Sequence, residues 1–249
     1  MMRISASTAW VIRPRPIQNA TRRLFCFPYA GGGATVFHAW ARLLPPHVEL
    51  CNVQLPGRGS RLGEAPFTSL PPLIEAVASA LTPFFDRPFI FLGHSMGGLI
   101  SFELTRYLRR FQHPMPERLV ISGRGAPHLP DLKKPLHALP ETEFLHELRQ
   151  LNGTPREVLD NRELMELCLP ILRADFAVCE TYQYRPESPL DCPLTVLGGV
   201  EDRDIDRERL TGWRDHTTQD FQLRMFPGDH FFLHSAQAEY LQLVSALLI

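Results

Sequence analysis

The sequence has 249 residues, 44% hydrophobic and 21% charged, enough to bury a sizeable core, which excludes a disordered chain. Its 26 basic and 27 acidic residues leave a net charge of −1, so nothing in the charge balance favours nucleic acid as a partner. The five cysteines (Cys26, Cys51, Cys168, Cys179 and Cys192) are odd in number and form no C-x-x-C pair. That argues against a disulfide framework or a zinc site and for a reducing, cytoplasmic setting.

The first segment, to Pro16, is hydroxyl-rich and places Arg13 and Arg15 where a signal peptide would have its small-residue cleavage site, so export is not expected. No apolar run approaches the ~18 residues needed to cross a bilayer, and no membrane partner is expected. Leu24 to Phe27 then predicts a strand, stopped by Pro28 and Gly31-Gly32-Gly33. Ala34 to Leu44 carries Val36, Phe37, Trp40, Leu43 and Leu44 at helical spacing. Val48 to Leu55 alternates as a strand, and Leu73 to Phe85 has the period of a helix. Phe89-Ile90-Phe91-Leu92 is apolar throughout, as in a strand buried on both faces. A helix from about Leu99 to Arg110 and a strand at Leu119 to Ile121 follow.

Between Gly123 and Pro193 the alternation lapses for roughly seventy residues, where a parallel crossover needs only about a dozen. Glu141 to Leu151 and Arg162 to Tyr182 read as helices, the second kinked by Pro170. Strand-helix rhythm returns with Leu194 to Leu197, Arg207 to Trp213, Phe221 to Phe226 and a closing helix from about Ala236 to Ile249. The expected organisation is a core of residues 1–126 and 189–249 interrupted by a helical insertion, 127–188. Repeated strand-helix units imply an α/β fold with a mostly parallel sheet, helices on both faces and a site at the carboxyl ends of the strands.

Gly93-His94-Ser95-Met96-Gly97 is a G-x-S-x-G sequence lying between a buried strand and a helix. In that setting the serine sits on a sharp turn with its Oγ above the sheet edge, and the glycines avoid collision with neighbouring backbone. The bland alternative is a capping serine at an ordinary strand-to-helix turn. A serine nucleophile needs a base and an orienting acid, in the chain order Ser, Asp or Glu, His. His230 follows a strand end and the Pro227-Gly228 turn; His234, one helical turn later, is the weaker candidate. His230 and His234 form an H-x-x-x-H pair, but no glutamate follows the first and no third ligand is apparent, so no metal is expected. For the acid, Gly198-Gly199 leads into Glu201, Asp202 and Asp204. Asp202 is preferred, although spacing alone does not separate it from Asp204. Oxyanion donors are expected at the Met96 N–H and in the Pro28 to Gly33 loop. That loop lacks both nucleotide-binding glycine spacings, and no cofactor is expected.

Six blocks in order make a family resemblance specific. They are Phe27-Pro28-Tyr29-Ala30-Gly31-Gly32, Gln54-Leu55-Pro56-Gly57-Arg58-Gly59, Gly93-His94-Ser95-Met96-Gly97-Gly98, Ser122-Gly123-Arg124, Gly198-Gly199 with Asp202, and Phe226-Pro227-Gly228-Asp229-His230-Phe231-Phe232. With them the chain resembles the type II thioesterases that accompany non-ribosomal peptide and polyketide synthases, members of the α/β-hydrolase superfamily. The resemblance implies a triad of Ser95, Asp202 and His230, oxyanion donors at Ala30 and Met96, and a mobile lid in the helical insertion. It also implies a substrate: an acyl group held as a thioester on the phosphopantetheine arm of an acyl or peptidyl carrier protein. The expected state is a monomer.

The alternatives are a carboxylesterase or lipase acting on free esters, or a hydrolase fold serving as a binding module. Arg58, Arg61, Arg106, Arg109 and Arg110 could meet an acidic carrier, with solvated surface charge as the simpler reading. Phe37, Trp40, Leu132, Leu139, Phe144, Leu148 and Phe176 could line an acyl pocket, with packing as the simpler reading.

Overall fold

A computed structural model describes residues 7–130, 134–151 and 153–248. The chain opens with a single helical turn, α1 (Ser7–Trp10), and a short strand, β1 (Val11–Ile12). Then come β2 (Arg22–Phe27), β3 (Val48–Val53), α2 (Leu70–Leu81), β4 (Phe89–His94), α3 (Met96–Arg110) and β5 (Arg118–Ser122). Three helices follow without a strand: α4 (Glu141–Leu151), α5 (Arg156–Leu159) and α6 (Arg162–Glu180). The chain ends with β6 (Leu194–Gly199), α7 (Arg207–Thr211), β7 (Phe221–Phe226), α8 (Phe232–Ser235) and α9 (Gln237–Ala246).

Among the described residues the strands form one sheet in the order β1-β3-β2-β4-β5-β6-β7. Only β1 is antiparallel, pairing Val11 with Val53; every other pairing is parallel. β4 lies at the centre, and all six of its residues are buried, as its unbroken apolar run predicts. One face packs on α2 and α3, where Phe25 meets Phe85, Phe89 and Phe91 edge-on at 5.7–5.8 Å between centroids. The other face packs on Phe37, Trp40 and the last helices. A smaller apolar cluster, with Phe144, Leu148, Met165 and Leu172, holds α4, α5 and α6 together.

Several expectations need correction. Ala34–Arg42 is a 3₁₀ helix rather than an α-helix. Its β-branched and aromatic residues are weak α-formers, and i,i+3 spacing brings Phe37 edge-on to Trp40 with ring centroids 4.9 Å apart. These two rings belong to the core behind the sheet and line no acyl pocket. The closing helix is found at Gln237–Ala246, and a single turn not expected from the sequence, Phe232–Ser235, precedes it. α6, by contrast, runs from Arg162 to Glu180 with Pro170 inside it, as the reading of that segment expects. Arg58, Arg61 and Arg106 are neither solvated nor available to a carrier: all three are buried and bonded inside the protein. Leu132 falls outside the described residues.

Candidate active site

The chain turns from β4 into α3 at Ser95, where φ is 53° and ψ −112°. A non-glycine residue held there costs on the order of 1–3 kcal/mol and persists only where its surroundings over-determine it. Close packing supplies that constraint. A Cβ on Gly93 would overlap the Gly97 carbonyl, and one on Gly97 would overlap the Phe27 carbonyl oxygen and lie 2.8 Å from that of Pro28. The Ser95 N–H donates to the Ser122 carbonyl at 2.7 Å, tying the turn to the end of β5. Ser95 Oγ makes no capping bond to α3, so the capping reading does not describe it.

β6 and β7 bring the acid and the base together from 28 residues apart. The Val200 N–H donates to Phe226 O at 2.9 Å and the Glu201 N–H to Gly228 O at 3.0 Å, so the loops after the two strands run as one ladder. At its end His230 Nδ1 and Asp202 Oδ2 are 2.7 Å apart. The Asp202 side chain is buried, and its Oδ1 accepts the N–H groups of Asp204 and Ile205 at 3.0 and 3.1 Å. Burial alone would raise the Asp202 carboxyl. The bond to His230, its charge and the two backbone donors outweigh burial and hold the carboxyl below its ordinary value. Of the three acids that spacing left open, Asp202 is the one bonded to the imidazole, while Asp204 contributes its N–H to that carboxylate.

Ala30 lies in the loop after β2, beside a turn closed by the Gly32 N–H to Tyr29 O bond of 2.9 Å. Met96 opens α3 and is buried. Neither the Ala30 nor the Met96 N–H has a backbone acceptor among the described residues. The Met96 N–H, at the start of α3, favours negative charge in front of it. Ser95, His230 and Ala30 open onto one cavity of about 1770 Å³, which Leu139, Leu148, Leu172 and Phe176 also line. Phe144 is buried in the cluster joining α4 to α6. Ser95 Oγ makes no hydrogen bond to His230 here; both line the cavity.

His234, the weaker candidate for the base, instead pairs its Nε2 with Tyr29 Oη at 3.2 Å. Among the described residues no cluster of His, Cys, Asp or Glu is arranged to hold a metal. His94 is fully buried, with Nδ1 2.8 Å from Ser122 Oγ and its ring 5.3 Å from that of His230. Burial, then the neighbouring imidazoles of His230 and His234, push its pKa well down, so it stands neutral behind the site.

Sequence reasoning missed Asp175. It is buried in α6 and bonded both to Arg58 and to the Gly31 N–H. A signal existed: Ile171, Leu172, Asp175 and Val178 share one helical stripe, and a lone carboxylate among apolar positions needs a buried partner.

A parallel sheet wound with helices, a serine on a strained strand-to-helix turn and a carboxylate-bound histidine past a later strand define an α/β-hydrolase. A family model described as a thioesterase domain matches residues 22–247. The chain is 46% identical over 239 residues to the gramicidin S biosynthesis protein GrsT of Aneurinibacillus migulanus, covering 96% of this chain and 93% of that protein. It is 48% identical over 242 residues to a Brevibacillus parabrevis protein named linear gramicidin dehydrogenase LgrE, covering 96% and 92%. Among solved structures, the type II thioesterase BorB from the borrelidin biosynthetic cluster superposes with a TM-score of 0.85 at 34% identity, over 97% of this chain and 98% of that one. The chain belongs to the thioesterase family, among the type II thioesterases of non-ribosomal peptide and polyketide pathways, and is a hydrolase acting on thioesters.

Proposed function

We propose that Ser95 is the nucleophile, His230 the general base and Asp202 the group that orients it, with the Ala30 and Met96 N–H groups as oxyanion donors. The substrate is an acyl thioester on the phosphopantetheine arm of an acyl or peptidyl carrier protein, and the role is editing, the removal of stalled or wrongly primed acyl groups. Residues 127–188 form the lid over the site, and the enzyme works in the cytoplasm. Among the described residues no helix is long and apolar enough to cross a membrane.

Ser95 Oγ attacks the thioester carbonyl while His230 Nε2 takes its proton. The negative charge moves to the carbonyl oxygen, facing the two N–H donors. The C–S bond then breaks, the proton passes to the departing sulfur, and an acyl-serine remains. Water repeats the sequence: it yields a proton to His230, attacks the ester and releases the free acid, and Ser95 recovers its proton. Asp202 keeps the His230 Nδ1–H pointed away from the serine throughout, so that Nε2 is the basic nitrogen. Hydrogen bonds of this kind often close only with substrate in place.

One observation carries the reading: the 2.7 Å Asp202–His230 bond opens onto the same cavity as a serine held in a strained turn. The cavity volume exceeds the ~300–1,000 Å³ of ordinary ligand pockets, which suits a long arm and an acyl chain held at once. The test compares hydrolysis of acyl-carrier protein, acyl-N-acetylcysteamine and p-nitrophenyl esters by the wild type and Ser95→Ala. Preference for the carrier-bound group, abolished in the variant, is the expected result. Equal or faster turnover of simple esters would make the protein a general esterase, and failure to react with a fluorophosphonate would remove Ser95 from the mechanism.

A further inference from the structure

Asp175 projects from α6 into the loop that carries Ala30. Its Oδ2 accepts the Gly31 N–H at 2.7 Å and Arg58 Nη1 at 2.6 Å, and its Oδ1 accepts Arg58 Nη2 at 2.7 Å. Arg58 Nη1 also donates to Gly32 O at 3.1 Å, and its Nε to Pro56 O at 3.3 Å. Both side chains of the ion pair are less than a tenth exposed. Gly31 itself has a φ of +77°, and a Cβ there would meet Leu172 Cδ2, also of α6, at 2.6 Å.

A buried ion pair is a poor way to gain stability, because an apolar pair of the same volume does as well or better. Its use is better sought in what it holds. It holds the two residues after Ala30: the Gly31 N–H by the carboxylate and the Gly32 carbonyl by the guanidinium. With the Gly32-to-Tyr29 turn closed behind it, the Ala30 N–H has little freedom left.

We propose that Asp175, with Arg58, is a positioning residue for the oxyanion donor at Ala30, so that the oxyanion hole is complete only while this part of α6 is seated. This rests on the serine-hydrolase reading above and adds to it a coupling: the helix that walls the acyl cavity also sets a catalytic donor. When α6 lifts at Asp175, the Gly31 N–H and the Arg58 guanidinium lose their acceptor together, and hydrolysis waits for α6 to return.

The test uses Asp175→Asn, which keeps one acceptor, and the double variant Arg58→Met with Asp175→Leu, which removes the charges and keeps the volume. Each is assayed for turnover of an acyl-N-acetylcysteamine thioester and for inhibition by an acyl trifluoromethyl ketone, whose hemiketal oxygen sits in the hole. Removing an oxyanion donor outright costs roughly 10²–10³ in kcat, so displacing one is expected to cost about 10–100-fold. KM should change little, ketone affinity should fall in parallel with kcat, and the pH at half-maximal rate should stay put. Asp175→Asn should lie between the wild type and the double variant. Cooperatively melting variants with kcat within about threefold of wild type would overturn the proposal, as would a lower kcat with undiminished ketone affinity. Ser95→Ala is run in parallel. Wild-type turnover there would sink the underlying serine mechanism, whereas its inactivity beside fully active Asp175 variants would overturn only the positioning role.

Discussion

Gly199, the last residue of β6, lies against the backbone of Asp229, the residue before His230. A Cβ on Gly199 would overlap the Asp229 carbonyl oxygen and stand 2.6 Å from that of Gly228. The close approach of the two loops, on which the Asp202–His230 bond depends, therefore requires a residue without a side chain.

Gly199→Ala should push the His230 loop away from Asp202. Misplacing a reacting group by about 1 Å costs about 10²-fold, so kcat on a thioester should fall by that order. Overpacking should also cost about 1–3 kcal/mol in urea unfolding. Gly63 is the control, since nothing lies within 4 Å of a Cβ there. Gly63→Ala should stay within about 0.5 kcal/mol of wild type and leave kcat unchanged.

Asp202→Asn keeps the shape of the acid and removes its charge. An amide NH₂ facing Nδ1 favours the tautomer with the proton on Nε2, where it cannot serve as base toward Ser95. A loss of about 10³-fold or more in kcat/KM is expected. Asp204→Asn should retain activity within about threefold, because Asp204 supports the carboxylate through its backbone N–H. A reversal of the two effects would exchange the roles assigned here.

What the sequence could and could not convey divides along physical lines. Strands β4, β5 and β6 were legible as short, largely apolar runs ended by glycine or a polar residue, and β7 as an alternation of Phe221, Leu223 and Met225 with polar residues before Pro227. The serine turn was legible because its glycines are forced by backbone contacts a few residues away. The choice among Glu201, Asp202 and Asp204 was not, since it depends on the β6–β7 ladder that sets which side chain meets Nδ1. β1 was missed because a two-residue strand has no period to detect. The role of Arg58 was misread because its partner, Asp175, is 117 residues away, and charge alone says nothing about burial.

Arg106 illustrates the same error and can be tested on it. Buried in α3, it is bonded to Glu103 and lies 2.9 Å from Glu187. Tyr182 Oη also donates to Glu103, at 2.7 Å. Arg106→Ala leaves these acids without their cation and should cost about 3–5 kcal/mol in urea unfolding. Arg110, half exposed and 3.8 Å from the same Glu187, should cost no more than about 0.5 kcal/mol when changed to alanine. If Arg106→Ala instead left stability intact and weakened only the KM for a carrier-bound substrate, Arg106 would be a docking residue after all.

His216 should make the protein sensitive to mild acid. Its ring is buried against Trp213 and Phe102, with Nε2 2.8 Å from His128 Nδ1. Burial, then the His128 imidazole and Arg106, lower its pKa from 6.5 to about 4, against the opposing pull of Asp215. The native protein thus leaves His216 unprotonated where the unfolded chain takes up a proton. Stability therefore declines as pH falls from about 6.5 and stops changing on this account below about 4. The full depression corresponds to about 3 kcal/mol. His94, also buried and neutral, acts in the same direction, whereas carboxylates held low, such as Asp202, add their loss at lower pH. His216→Phe keeps a ring in place and cannot titrate. Urea midpoints for the two proteins, measured from about pH 7 to about pH 4.5, should converge as the wild type loses stability and the variant loses less. Parallel lines would mean that His216 takes its proton in the folded state as readily as in the unfolded one.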